Sequence, residues 1–405
     1  MATQKILISG ASIAGPALAF WLQRQGCDVT VIERAKLFRT GGQNVDIEGP
    51  AQDVIRLMGI EEEIVARNTR EQGVEFLNGA GKAMARLPKG AVGSLTSAYE
   101  ILRGELADIL HEATRDHCAY RFGTTITGLT QTDSAVSVAF SDGATDTFDL
   151  VICAEGVGSQ TRRLVMDDDI RFRYLGVHAS YFRIPRGADD ADWARIYHGR
   201  GGVFMLLRPV HNNDTTVLVT FPRKDFSTQE LDGAAQKRML REALQDVGGP
   251  AKRVLANLDH DQDFYLGPMS QIVASTWSRG RFALLGDAAW CPSAYTGQGT
   301  PLALVGAYIL ANELMKDQTH TQAFAEYERL MRPYVASGRA LYPGVIRLFH
   351  PRSLLGIGIL RTVEKVLTNS LAQKLFRRFG IGDDEASDNG FILPRYAQAI
   401  SRPQA

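Results

Sequence analysis

Gly10, Ser12 and Gly15 of the stretch "GASIAG" occupy the three small-residue positions of a G-x-G-x-x-G turn, and Glu33 ends the next apolar run, "CDVTVIER". Residues of these types at this spacing suit a dinucleotide. Gly10 permits a tight turn, Ser12 keeps the backbone open to a pyrophosphate, Gly15 lets a helix approach the sheet, and Glu33 accepts from a ribose hydroxyl. A second set lies in "GDAAWCPSAYTGQG". There Asp287 can accept from a sugar hydroxyl of a ribityl chain, and the backbone N–H groups of Thr296 to Thr300 can face an electron-rich ring edge at a helix start.

Such residues work only if the right elements hold them. "KILIS" (Lys5 to Ser9) suits a buried parallel strand, "PALAFWLQRQG" a helix ending at Gly26, and "CDVTVIER" a second strand, together a βαβ unit. The opening apolar run breaks after about five residues, whereas a secretory core needs roughly 7–15 and a membrane span roughly 20. Arg281 to Leu285 form another strand, which turns at Gly286-Asp287, loops from Cys291 to Gly299 and enters a long apolar helix. Between these parts, "HASYFRI", "GVFMLLRPV" and "TTVLVTFP" are strand-like and predict a sheet with aromatic walls. Period-two alternation puts His178, Ser180 and Phe182 on one face and Ala179 and Tyr181 on the other. His178 is a candidate base for a phenol, or a satisfied sheet residue.

Composition narrows the function classes. The 405 residues exceed one ordinary core, and 45 Lys+Arg against 45 Asp+Glu give zero formal charge with no basic block. Nucleic acid is not an expected partner. The 4 cysteines, Cys27, Cys118, Cys153 and Cys291, form no Cys-x-x-Cys pair, which favours free thiols in a reducing, cytoplasmic setting over disulfides or zinc. The segment "SLLGIGILRTVEKVLTNSLAQKLFRRFG" alternates apolar and basic residues and is expected to pack as a helix across the domain junction rather than on a membrane.

Four motifs in order resemble one family: "GASIAG" with Glu33-Arg34, "EILRGELADIL" around Arg103, "DLVICAEGVGSQTRR" from Asp149, and "GDAAWCPSAYTGQG" from Gly286. The family is the single-component FAD-dependent aromatic hydroxylases of the para-hydroxybenzoate hydroxylase fold, the class A flavoprotein monooxygenases. "GGQNVDIEG" (Gly41 to Gly49) is similar to the branch that includes the tetracycline-inactivating monooxygenases. The resemblance implies an α/β fold: a Rossmann-like FAD-binding domain, a mixed β-sheet substrate domain and C-terminal helices. The expected division is residues 1–75, 100–165 and 275–330 for FAD, 76–99 and 166–274 for substrate, and 331–405 for the C-terminal helical segment.

The same resemblance implies site residues. Gly10, Ser12, Ile13, Ala14, Gly15 and Glu33 would hold the dinucleotide, Arg34 the adenosine end, and Arg103 the phosphate and ribityl region. Gly286 and Asp287 would sit beside the ribityl and pyrophosphate, with Pro292, Gly297, Gln298 and Gly299 beside the isoalloxazine. Two departures stand out. Glu155-Gly156 replaces the usual Asp-Gly with a side chain one methylene longer, and Trp290 stands where a histidine often follows "GDAA". Trp290 either walls the reaction chamber or packs beneath the loop. The implied reaction consumes NADPH or NADH and dioxygen, requires no metal, and hydroxylates an aromatic or polycyclic small molecule through a C4a-hydroperoxyflavin. A flavin oxidase or reductase on the same fold, or a non-catalytic FAD-binding protein, is the alternative.

Overall fold

The computed structural model describes residues 3–38, 41–91, 97, 99–188, 190–210, 213–226, 232–261, 263–369, 373 and 390–396. Among these residues, the strand Lys5–Ser9 sits inside a six-stranded sheet, paired in parallel with Asp28–Glu33 on one side and Leu150–Cys153 on the other. Phe282–Leu284 and Ala119–Phe122 extend it, also in parallel. Ile6, Leu7 and Ile8 are fully buried, as an unbroken apolar run in a sheet covered on both faces should be. Parallel pairing sends the carboxyl ends of these strands to one edge. The "GASIAG" turn, Glu33, Ala154–Gly156 and Gly286–Asp287 therefore meet there.

The helix Ala14–Arg24 returns across this sheet and packs against the helix Gly299–Leu314, whose residues from Thr300 to Leu314 are all buried. A helix apolar around its whole circumference is an interior element, and this one lies at the centre of the first core. Three antiparallel strands, Ile126–Gln131, Val136–Phe140 and Thr145–Phe148, form a separate small sheet.

A seven-stranded sheet holds the three strand-like runs in Ile170–Pro185, Phe204–Pro209 and Asp214–Pro222. It is mixed, because Ala194–His198 pairs in parallel with Gly73–Leu77 and its other pairings are antiparallel. One face is covered by the helix Gly233–Leu244, whose Leu240 and Leu244 join Phe182, Ile184, Val217 and Val219 in a second core. The strand Ile170–Pro185 is 16 residues long, and its pairing slips between Tyr174 and His178, where Gly176 has φ +77°. That left-handed conformation suits glycine.

The C-terminal region contains helices at His320–Gly338, Val345–Phe349 and Leu354–Leu367. Of the segment expected to span the junction, residues 370–372 and 374–380 lie outside the described residues. The described helix Leu354–Leu367 packs instead on the edge strand Ala83–Pro88, burying Ile357 and Glu364, with Glu364 facing His198 Nε2 at 3.2 Å. The chain before it makes the crossing: His350 bonds to Tyr295, in the loop that leads into the helix Gly299–Leu314, and to the Gly202 carbonyl (2.6 Å), in the turn before the strand Phe204–Pro209. No helix among the described residues is long and apolar enough to cross a membrane. The four cysteines are free thiols, of which Cys118, Cys153 and Cys291 are buried.

Candidate functional site

At the converging strand ends, backbone contacts leave little room for side chains. A Cβ on Gly10, which has φ +115°, would meet the Ala154 carbonyl oxygen at 2.4 Å, and one on Gly15 would meet the Gly10 oxygen at 1.9 Å. The first close approach seats the turn between two strands, and the second seats the helix on the turn. Glu33 braces the same turn, accepting the Ala11 N–H at 3.0 Å and the Ala35 N–H at 2.9 Å.

From this turn a cavity of about 540 Å³ runs towards the second sheet. Gly10, Ser12, Ile13, Ala14, Glu33 and Arg103 line one end, and Asp287, Pro292, Gly297 and Gly299 line its middle. Arg103 Nη1 donates to Ser12 Oγ at 2.7 Å, so the departure from glycine at residue 12 gives the guanidinium a fixed partner. Gly42 packs so closely on this arginine that a Cβ there would lie 2.7 Å from Nε. Arg34 is exposed beside a narrow pocket shared with Ser9, Glu33, Glu155 and Thr161.

Asp287 opens the short helix Asp287–Trp290, with Gly286 at φ +66° before it, where a Cβ would meet that of Ala14 at 2.9 Å. Burial raises the Asp287 carboxyl to about 6, against the opposing pull of Cys291 and Arg103. Cys291 is itself pushed well above its ordinary value by burial and by this carboxylate. The loop then places Gly297, at φ +68°, and Gln298 before the helix Gly299–Leu314, so its first-turn N–H groups point towards the cavity wall formed by Gly299, Thr300 and Ala303. Gln298 lies behind that wall and reaches Glu48 Oε2 at 3.5 Å.

Glu155 accounts for the third motif. Its carboxylate accepts Ser159 Oγ (2.7 Å), Thr161 N–H (3.1 Å), Thr161 Oγ1 (2.5 Å) and Ser9 Oγ. The longer side chain thus ties the ends of two neighbouring strands to the start of the helix Gln160–Met166. Arg162, 1 % exposed, was not singled out from sequence, yet it donates to the carbonyls of Ala288 and Val157 at 2.7 Å each. It bolts the third motif to the fourth.

Two candidates stand elsewhere. His178 does not line the cavity; Ala179 and Tyr181, on the opposite face of the strand, do. Its Nδ1 contacts Tyr174 Oη at 3.0 Å, its ring stacks on Phe221, and burial lowers it to about 4. It is a neutral packing histidine away from the cavity. Trp290 is fully buried against Trp277 (ring centroids 4.5 Å apart) and Tyr327 (5.9 Å), and also lies outside the cavity wall. The loop that follows Trp290 turns into the cavity while the indole enters the core.

The far end of the cavity is walled by Tyr181, Phe182, Leu206, Leu218, Tyr265 and Met269. Below them sits a charged group that no sequence spacing suggested. Arg208 Nε lies 3.1 Å from Glu71 and Nη1 3.5 Å from Glu100, and Asp46 shares the group. Burial, with Glu100 and Asp46 nearby, pushes Glu71 up to about 8 despite Arg208, and burial raises Asp46 as well. An arginine inside the apolar run "GVFMLLRPV" was the only local signal.

A glycine-cradled turn, a guanidinium, two carboxylates and a helix start along one cavity fit an anionic, hydroxyl-rich dinucleotide. A family model described as FAD binding domain matches residues 3–336. The chain is similar to the FAD-dependent monooxygenase asL6 of Sarocladium schorii, at 34% identity over 93% of this chain and 96% of that protein. It is 32% identical to a flavin-dependent monooxygenase of Legionella longbeachae, over 97% of this chain and 98% of that one. Among solved structures, tetracycline destructase Tet(55) superposes with a TM-score of 0.81 at 34% identity, covering 97% of this chain and 99% of the other.

Proposed function

The chain belongs to the FAD-binding-domain family and is an FAD-dependent monooxygenase, and from that premise we propose that it hydroxylates an aromatic or polycyclic small molecule at the expense of NADPH or NADH. The observation that carries this reading is the continuity of the cavity. One space joins the dinucleotide turn, Asp287 and the Pro292–Gly299 loop to an aromatic and aliphatic wall on the second sheet.

Bound FAD, once reduced, supplies the activation of dioxygen and the delivery of one oxygen atom to substrate carbon. The protein's own residues position and protect. Gly10, Ser12, Ile13, Ala14 and Gly15 give the pyrophosphate an open backbone, Glu33 and Arg34 serve the adenosine end, and Arg103 meets phosphate charge. Asp287 accepts from the flavin's sugar chain, with Gly286 allowing its approach. Pro292, Gly297 and Gly299 frame the ring with Gln298 behind them, and the helix dipole there favours negative charge. Tyr181, Phe182, Tyr265 and Met269 form a wall that holds a flat apolar substrate and keeps water from the reacting atoms. His178 lies outside the chamber and is not placed to act on a substrate there.

The test is a panel of phenolic, polyketide and tetracycline-like compounds, scored for stimulated NADPH or NADH oxidation and for product mass under labelled dioxygen. The expected result is one labelled oxygen atom in the product. Stimulated oxidation with peroxide and no incorporation would mark an oxidase, and none with any compound would leave FAD binding alone.

A further inference from the structure

A second cavity, of about 890 Å³, opens between the strand Ile170–Pro185 and the chain from Leu341 to Arg352. The site described above does not use it. Arg173, Arg347 and Arg352 stand on its lining, all exposed, and no carboxylate belongs to that lining among the described residues. Among those residues neither Arg347 nor Arg352 forms an ion pair, and Arg173 has only the neutral Gln271 Oε1 at 3.4 Å. Tyr342, 85 % exposed, offers a ring face at the rim, and Leu175, Val177 and Ile346 give the cavity an apolar floor. Three cations without counter-charge, an aromatic face and an apolar floor suit a ligand with several negative charges and flat rings.

The floor is also a party wall. Val177 and Ile346 pack in one apolar cluster with Ala179, Tyr181 and Met269, which line the first cavity, and with Tyr295 of the Pro292–Gly299 loop. His350, on the second cavity's lining, bonds to Tyr295. A ligand in the second cavity is therefore one side-chain layer from the chamber that holds the flavin and substrate.

We infer that this second cavity receives the phosphorylated part of the reducing nicotinamide dinucleotide, with Arg173, Arg347 and Arg352 meeting its phosphates and Tyr342 stacking on one of its rings. The inference rests on the reading that NADPH or NADH is the reductant. The chain carries a single glycine fingerprint, which the FAD cradle uses, so a second dinucleotide needs another kind of site. Exposed arginines suit a reductant that must leave after each turnover, since ion pairs in water hold weakly and weaken further with salt.

The test uses the FAD-loaded enzyme. NADP⁺ binding is titrated calorimetrically, and flavin reduction by NADPH is followed by stopped flow, for wild type and for the double variant Arg347→Glu with Arg352→Glu. At least a tenfold weaker dinucleotide affinity is expected, with FAD content, flavin spectrum and reduction by dithionite unchanged. Arg347→Gln with Arg352→Gln should fall between, and its salt dependence should be shallower than that of wild type. Lys252→Glu, an exposed charge outside the cavity, should leave affinity unaltered. Wild-type affinity in the double variants would overturn the assignment while leaving the reductant reading intact. Loss of affinity for an anionic aromatic such as salicylate, with dinucleotide binding retained, would give the cavity to substrate and overturn it too. If neither NADPH nor NADH binds to or reduces the wild-type enzyme, the site and the reductant reading fall together.

Discussion

Glu155 holds four donors on two oxygens, and the hydroxyls it serves, on Ser9, Ser159 and Thr161, belong to residues no more than 3 % exposed. Removing the carboxylate leaves these buried hydroxyls without their charged acceptor, and each such loss costs roughly 1–3 kcal/mol. Glu155→Ala is therefore expected to lower unfolding stability by about 3 kcal/mol in urea titration, more than Glu155→Asp, which keeps the charge but shortens the reach. Asp287→Ala should spare the fold and loosen FAD, since a charged hydrogen bond of roughly 1.5–3 kcal/mol corresponds to about ten- to a hundredfold in affinity. Fluorescence of FAD released on dilution measures it, and unchanged retention would make Asp287 structural only. His178 gives a pH signature. Burial holds its ring neutral, with a value of about 4 in the fold against 6.5 unfolded, so its contribution is complete above about 6.5 and disappears as pH falls towards 4. His178→Gln should flatten the acid limb of stability by at most about 3 kcal/mol. Parallel unfolding curves for both proteins between pH 7 and 4.5 would refute it.

Among the elements, the βαβ unit was the most legible in the sequence, because its requirement is local: Gly10 and Gly15 face backbone atoms within a few residues or on the next strand, where no Cβ fits. The strand Phe282–Leu284 and the helix Gly299–Leu314 were legible for the same reason, an apolar run bounded by glycine. Faces were harder to read. The strand Ile170–Pro185 is buried on both sides around His178, Ala179 and Ser180, so alternation could not say which side meets the cavity. Trp290 and the Arg208 group were illegible because their partners come from remote segments: Trp277 and Tyr327 for the first, Asp46, Glu71 and Glu100 for the second. The short helix Asp287–Trp290 thus has two different ends, a carboxylate towards the cavity and an indole in the core. Gly306 of the neighbouring helix leaves room for that indole, with a Cβ there falling 3.0 Å from the ring. Trp290→Ala should cost about 3–5 kcal/mol of stability, as large aromatic deletions in cores do. At a temperature where the variant stays folded, its ratio of product to NADPH consumed should match wild type; a rise in peroxide would put the indole back at the chamber.

At the scale of the whole molecule, the proposed cofactor site is assembled from segments far apart in the chain, with Gly10 and Asp287 on neighbouring parts of one sheet edge. FAD in hundredfold excess over its dissociation constant should add about 2.7 kcal/mol to the folded state, so the melting temperature should climb with FAD concentration and fall after its removal. A melting temperature indifferent to FAD would contradict a site built from such distant segments. The four thiols carry a further consequence, one of durability. An oxygen-activating enzyme works beside its own oxidant, and peroxide attacks the thiolate rather than the thiol. Burial pushes Cys27 up to about 11, Cys118 and Cys153 to about 12, and Cys291, nearest the chamber, well above its ordinary value. At working pH all four therefore stay in the slow-reacting thiol form, which slows loss of the catalyst to cysteine oxidation.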